Sequence, residues 1–124
     1  GRRNARQIMV PRSRIAYLDL QKSLEENRRI MNEHLYSRMP LCNGGIDNVV
    51  GVVRVREAIT AFYAEGDVFV LQLIAQPPTF APESVPLDRL LVLLDERHAQ
   101  MVVLVDEHGG VEGIATLRDV IDEL

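Results

Sequence analysis

The sequence predicts an α/β fold of the α+β kind: two copies of one unit, each a small mixed sheet packed with two helices. Three observations carry this prediction. The chain repeats itself. With Tyr36-Ser37-Arg38-Met39 laid over His98-Ala99-Gln100-Met101 and no gap, Gly51 falls on Gly113, Arg54 on Thr116, Arg56 on Arg118, Glu57 on Asp119 and Ile59 on Ile121. Short β-branched runs alternate with helically spaced apolar residues in the same order in both copies. An apolar share of 47% in 124 residues suffices for one compact domain, or for two small units sharing a core.

In the first copy, residues 1–7 are polar, and the apolar run Ile8 to Arg12 is stopped by Pro11. Ile15, Tyr17 and Leu20, with Ala16 and Leu18 between them, predict a short buried strand ended by Asp19 to Lys22. Ser23 and Glu26 form a capping box, and Leu24, Met31 and Leu35 recur at helical spacing, so a helix is expected over 23–34. Met39 to Cys42 reads as a strand, Asn43-Gly44-Gly45 as a turn, and Val49 to Val53 as the return strand. Residues 54–64 predict a helix with Val55, Ile59, Phe62 and Tyr63 on its apolar side and Gly66 as its stop. Asp67 caps a short segment from Val68 to Ala75, read as helix.

The second copy repeats the order. After a Pro-punctuated link, Thr79-Phe80 is the short first strand and Pro86 opens a helix. Leu87, Leu90, Leu91, Val92, Leu93 and Leu94 make that helix apolar on so many sides that it is expected to be buried. Met101 to Val105 has almost no polar face, as in a strand covered on both sides. Asp106 to Gly110 turns the chain, Val111 to Ala115 returns it, and Thr116 begins the last helix.

The chemistry concentrates at Gly113-Ile114-Ala115-Thr116-Leu117-Arg118-Asp119. A strand leaves through a glycine, reaches a threonine and enters a helix. A helix start offers unpaired N–H groups and partial positive charge, and glycine permits close backbone approach, so one turn can present amides and a hydroxyl to a phosphate and a carboxylate to sugar hydroxyls. On these residues alone the simpler reading is that Thr116 and Asp119 cap the helix.

Other chemistry is weaker. The formal net charge of −4 argues against a general nucleic-acid binder. Arg2, Arg3, Arg6, Arg12 and Arg14 give a basic start, fit either for a position beside a membrane or for a solvated leader. His34, His98 and His108 have no metal-ligand spacing, and Asp106 with Glu107 reads as a hairpin turn before a cation site. Cys42 is a small core residue with no activating partner, and Ser37 and Ser84 lack a triad context. Catalysis is not expected. No apolar run reaches the length of a transmembrane helix.

Taken with these strings, the chain resembles a tandem CBS-domain pair, or Bateman module. The Gly113–Asp119 stretch matches that family's nucleotide motif: Gly, two apolar residues, Thr or Ser, two further residues, then Asp. Met9-Val10-Pro11-Arg12, Ser37-Arg38-Met39-Pro40, Asp47 to Gly51, Phe80 to Ser84 and Val105 to Gly110 resemble the hemolysin-like CorC/HlyC proteins linked to magnesium and cobalt efflux. The likeness implies two CBS repeats related by a pseudo-twofold, at 8–66 and 67–124, after a basic leader or linker at 1–7, in a piece of a longer protein. It implies a regulatory module that senses AMP or ATP, with or without magnesium. Such a module commonly forms a homodimer, and acts with the membrane domain of the same protein on its cytoplasmic side, with no nucleic acid involved.

By the same resemblance, Thr116 meets a phosphate or ribose oxygen and Asp119 accepts from the ribose hydroxyls. Gly113 and Ile114 supply close backbone, and Met9, Val10, Met101, Val102 and Val103 line an adenine pocket. Ser37 and Arg38 match a family motif. The first copy departs from the pattern, with Arg54 for Thr and Glu57 for Asp, so its site is expected to be degenerate. Arg54 there is more simply a solvated arginine than a phosphate partner. Gln100 and His108 stand where relatives often have His and Tyr. Two alternatives stay open: a structural dimerisation module with no ligand, and an enzyme using the Thr–Asp pair.

Overall fold

The computed structural model describes residues 3–124. In chain order the regular elements are β1 (Val10–Pro11), β2 (Leu18–Asp19), α1 (Leu24–Glu33), β3 (Arg38–Cys42), β4 (Val49–Arg54), α2 (Val55–Glu65), α3 (Val70–Ile74), β5 (Phe80–Pro82), α4 (Leu87–Glu96), β6 (Met101–Val105), β7 (Val111–Thr116) and α5 (Leu117–Glu123). They form two compact units. A middle unit holds Ala16–Pro78; a terminal unit joins the residues up to Ile15 to Thr79–Leu124.

Each unit builds its sheet the same way. In the middle unit β2 runs parallel to β3, and β3 antiparallel to β4. In the terminal unit β5 runs parallel to β6, and β6 antiparallel to β7. Each last strand then takes a further antiparallel partner: Gln76 bridges Val52, and β1 pairs with β7 through Val10–Ile114 and Pro11–Gly113. The middle unit draws that partner from the residues after α3, the terminal unit from the start of the chain. The repeats expected at 8–66 and 67–124 follow the sequence; the compact units follow these contacts instead.

Two glycines permit the extra pairing. A Cβ on Gly113 would meet the Val10 carbonyl oxygen at 2.7 Å and the Met9 Sδ at 2.5 Å; one on Gly51 would meet the Ala75 Cβ at 2.7 Å and the Gln76 carbonyl oxygen at 3.0 Å. What approaches these glycines is the protein's own chain.

The repeat register needs one correction. Met39 pairs with Val53 and Val102 with Ala115, so Met39 corresponds to Val102, not to Met101. Gly51 and Gly113 do correspond, each opposite a leucine, Leu41 and Leu104. The ungapped superposition therefore misplaces β3 against β6 by one residue. The missing residue is in the hairpin turn, which runs over 43–48 in one unit and 106–110 in the other.

Two cores form on the helix-facing sides of the sheets. Leu18, Met39, Leu41, Val53, Ala58, Phe62 and Leu71 pack in the middle unit. Leu87, Leu90, Leu94, Val102, Leu104, Ala115 and Val120 pack in the terminal unit. The helices are more one-sided than the composition implies. Leu87, Leu90 and Leu94 are buried on α4, while Val92 is 55% exposed, so α4 is amphipathic and not buried all round. On α2 the buried residues are Val55, Ala58 and Phe62; Ile59 and Tyr63 lie exposed. Gly66 stops α2 in the left-handed conformation, φ 68°, with its N–H on the Phe62 carbonyl.

The start of the chain is not a solvated arm. Ala5 is fully buried, and its N–H donates to the Val85 carbonyl at 2.9 Å. Arg3 pairs with Glu123, Arg6 with Glu83, and Arg12 donates to the Val111 carbonyl at 2.9 Å. Arg2 lies outside the described residues. No helix is long and apolar enough to cross a membrane among the described residues.

Candidate functional site

The terminal unit gathers most of the expected site residues on one sheet. Val10 pairs with Ile114, Ile114 with Val103, and Thr116 with Met101. Cross-strand partners share a face. Val10, Ile114, Val103, Met101 and Thr116 therefore share the face opposite the helix-facing core. Val102 alternates to the other side and packs in the core with Leu104 and Ala115. Met9 also packs against that core, with its sulfur over Gly113. Of the expected adenine-lining set, the side chains of Val10, Met101 and Val103 face one way, and Val102 contributes backbone only.

Thr116 and Asp119 stand at the edge of this face, where β7 becomes α5. They make a complete capping box: the Asp119 N–H donates to Thr116 Oγ1 at 3.2 Å, and the Thr116 N–H donates to Asp119 Oδ2 at 3.0 Å. The Leu117 N–H donates to the Gln100 carbonyl at 2.9 Å, tying the helix start to the strand beside it. The cap is thus real, and it does not exhaust either side chain. A hydroxyl that accepts one bond keeps its own proton to donate, and a carboxylate with one oxygen engaged keeps the other. Both side chains are held half-buried in a fixed geometry, with one donor and one acceptor left over.

The corresponding end of the middle unit differs. Arg54 caps nothing, so α2 starts without a side-chain cap, although the Val55 N–H still donates to the Ser37 carbonyl at 2.9 Å. Ser37 and Arg38 lie here, at the start of β3, in the other compact unit from Thr116 and Asp119. Arg38 is the direct register partner of Arg54.

Asp19, expected from the sequence only to end a strand, is 3% exposed, and its carboxylate accepts from the N–H groups of Gln21 at 2.8 Å, Gly44 at 3.0 Å and Gly45 at 2.8 Å. Burial opposes its charge, but those three amides outweigh it and hold the carboxyl below its ordinary value. Asp19 thereby fixes the β3–β4 turn. The glycine pair after Asn43 was the available signal, since it bares amides for a carboxylate to bind. In the terminal unit Asp106 does this from within its own turn, accepting from His108 at 2.9 Å and Gly110 at 2.8 Å, and its carboxyl is likewise held low by those amides.

Asp106 is therefore engaged as a turn former, and no His/Cys/Asp/Glu group able to hold a metal ion occurs among the described residues. The Cys42 thiol is buried and pushed up to about 12, first by that burial and then by the Asp19 charge. It is protonated and inert at neutral pH.

Comparison with known proteins places these features. The family model described as CBS domain matches residues 5–64 and 70–124. The chain is 36% identical to the UPF0053 protein YugS of Bacillus subtilis, over 98% of this chain and 28% of that protein. It is 34% identical to Hemolysin C of Brachyspira hyodysenteriae, over 98% of this chain and 44% of that one. It is 32% identical to the magnesium and cobalt efflux protein CorC of Vibrio cholerae, over 96% and 41%. The chain thus spans less than half the length of these relatives. Among solved structures, it superimposes on the CBS domain of a bacterial CNNM/CorC family Mg2+ transporter in complex with ATP, with TM-score 0.84, 35% identity and coverage of 97% and 85%. A CBS-domain pair with bound AMP from Klebsiella pneumoniae matches with TM-score 0.85, 26% identity and coverage of 97% and 96%.

Proposed function

Because the chain belongs to the CBS-domain family, as a CBS pair of the hemolysin C/CorC group, we propose that it is the adenine-nucleotide-sensing module of an ion-transport protein. The observation that carries this reading is the terminal-unit sheet face. Val10 is half-buried beside the buried Ile114, Val103 and Met101, and Thr116 and Asp119 stand half-buried at the edge of that apolar face with one unused donor and one unused acceptor.

An apolar floor receives the adenine through area and dispersion, with strand backbone at the base edge. The Thr116 hydroxyl donates to a phosphate or ribose oxygen, and Asp119 accepts from the ribose hydroxyls. Because the capping box already fixes both groups, little side-chain entropy is lost on binding. The ATP and AMP complexes of the two structural neighbours support the ligand class. In this reading the module regulates and does not catalyse.

In this reading AMP or ATP, with or without magnesium, favours one arrangement of a homodimer, and that choice passes to the membrane domain from the cytoplasmic side. A ligand shifts such an equilibrium only through its differential affinity for the two states. Isothermal titration with AMP, ADP and ATP, with and without magnesium, tests the binding. Saturable binding near one site per chain, lost in Asp119→Ala, is expected. No binding of any of the three by the folded protein leaves a structural dimerisation module as the better reading. Sedimentation with and without nucleotide then reports whether the dimer itself depends on ligand.

A further inference from the structure

The β3–β4 turn holds the chain's only asparagine–glycine pair. Of Asn4, Asn27, Asn32, Asn43 and Asn48, Asn43 alone is followed by glycine. Both residues of the pair are exposed. Gly44 stands at φ 87° and Gly45 at φ 107°, a region that residues with side chains rarely adopt, so the turn itself requires glycine after Asn43. That requirement carries a chemical hazard. Asparagine is thermolabile, and most so before glycine, where no side chain shields the next backbone nitrogen.

Deamidation begins when the Gly44 nitrogen loses its proton to solvent hydroxide and attacks the Asn43 side-chain carbonyl carbon. The N–Cγ bond forms, the Cγ–Nδ2 bond breaks and ammonia leaves. Water then opens the cyclic imide to aspartate or isoaspartate, with no oxidant or reductant involved. In this fold the attacking nitrogen is engaged. The Gly44 N–H donates to Asp19 Oδ1 at 3.0 Å, and the Gly45 N–H donates to Asp19 Oδ2 at 2.8 Å. Asp19 is buried, and its carboxyl is held below its ordinary value, so it is ionised at neutral pH. A carboxylate beside an amide nitrogen disfavours loss of the amide proton. Asn43 is tied as well. Gln21 Nε2 donates to its Oδ1 at 2.8 Å, its N–H donates to the Asn48 carbonyl at 3.0 Å, and its carbonyl accepts from Asn48 Nδ2 at 2.7 Å.

We propose that Asn43 is a latent deamidation site kept closed by the Asp19 carboxylate. The site opens only when the turn releases Gly44, so its rate follows local opening and not the intrinsic chemistry of the pair. Once it has reacted, the turn does not close again as before. Isoaspartate adds a methylene to the backbone between residues 43 and 44, which moves the Gly44 N–H off Asp19, and either product adds a second negative charge to a turn built around one. The terminal unit needs no such lock: Asp106 binds its turn amides from within the turn, and the residue after it is Glu107. This inference does not depend on the nucleotide reading.

The test incubates the whole chain, Asp19→Asn, Gln21→Ala and Thr116→Ala in mildly alkaline buffer, folded and in urea, and follows Asn43 by peptide mapping with mass spectrometry. Asp19→Asn keeps the shape of the side chain and removes its charge. In the folded state it should deamidate at Asn43 about tenfold faster than the wild type or more, with Gln21→Ala between the two. In urea all four should react alike, because the lock is gone. Thr116→Ala weakens the other unit and should match the wild type, which separates the lock from general instability. Thermal melts set a temperature at which every variant stays folded. Hydrogen exchange at the Gly44 N–H gives a second readout, slow in the wild type and faster in Asp19→Asn. Folded wild type reacting as fast as in urea, or Asp19→Asn reacting no faster than the wild type, overturns the proposal.

Discussion

The two units end their β-hairpins differently. In the terminal unit β7 delivers Thr116 beside Met101, and Thr116 closes a reciprocal cap with Asp119. In the middle unit β4 delivers Arg54 beside Arg38, and α2 begins with no side-chain cap. Everything around the two ends is shared: a glycine admitting a neighbouring backbone, a strand carbonyl receiving the first helical N–H, and a buried helix-facing core. The comparison teaches that register and small residues set the fold, while two cross-strand positions and one helical position set how each helix start is capped.

The largest effect is expected where the fold is shared. Gly113→Val puts a Cβ within 2.7 Å of the Val10 carbonyl oxygen, a backbone atom that can move only if β1 leaves β7. Chemical denaturation should show a loss of about 3 kcal/mol or detachment of β1. Gly51→Ala, with its tightest contact to the Ala75 side chain, should cost less, about 1–2 kcal/mol. A larger cost at Gly51 would show that the two extra strand partners are not equivalent.

Next come the turns. Asp19→Ala removes the buried carboxylate that accepts from the part-buried amides of Gln21, Gly44 and Gly45, and should cost about 2 kcal/mol by urea unfolding. Acid should act on the same group. Its folded value lies below the ordinary 3.8, so its stabilisation is whole above that pH and is lost as pH falls through the lower folded value. Melting temperatures followed down from about pH 5 should therefore drop less steeply in Asp19→Asn than in the wild type. An equally steep fall would place the acid sensitivity elsewhere.

The smallest effects sharpen the contrast between the caps. Thr116→Ala should cost about 1 kcal/mol, and Arg54→Thr should gain about 0.5–1 kcal/mol by giving α2 the cap it lacks and separating two like charges. Paired thermal melts check both. An unchanged or reduced stability in Arg54→Thr would show that Arg54 already contributes something to the fold that its cap position does not explain.

Much of this was legible in the sequence because it depends on local patterns. The glycine–threonine–aspartate spacing marked the cap, Asn43-Gly44-Gly45 marked a turn, and the run Met101 to Val105 marked a buried strand. The one-residue slip between β3 and β6 was hidden because the deletion falls inside a turn, where no apolar pattern fixes the register. The face of Val102 followed that slip. The exposure of Val92, Ile59 and Tyr63 was not legible because apolar composition alone does not say which stripe a helix buries. Nor could the sequence show that β1 comes from the start of the chain, a pairing about a hundred residues apart that local propensity does not encode. The Arg38–Arg54 juxtaposition needed the strand register to be seen at all.

The most direct test of the difference between the two ends is an amide correlation spectrum of the isotopically labelled chain, recorded as AMP is added. The account predicts saturable shifts at Met9, Val10, Met101 to Val103 and Gly113 to Asp119, with Gly51 to Glu57 unmoved. Shifts centred on Gly51 to Glu57, or a spectrum that does not change, would contradict it.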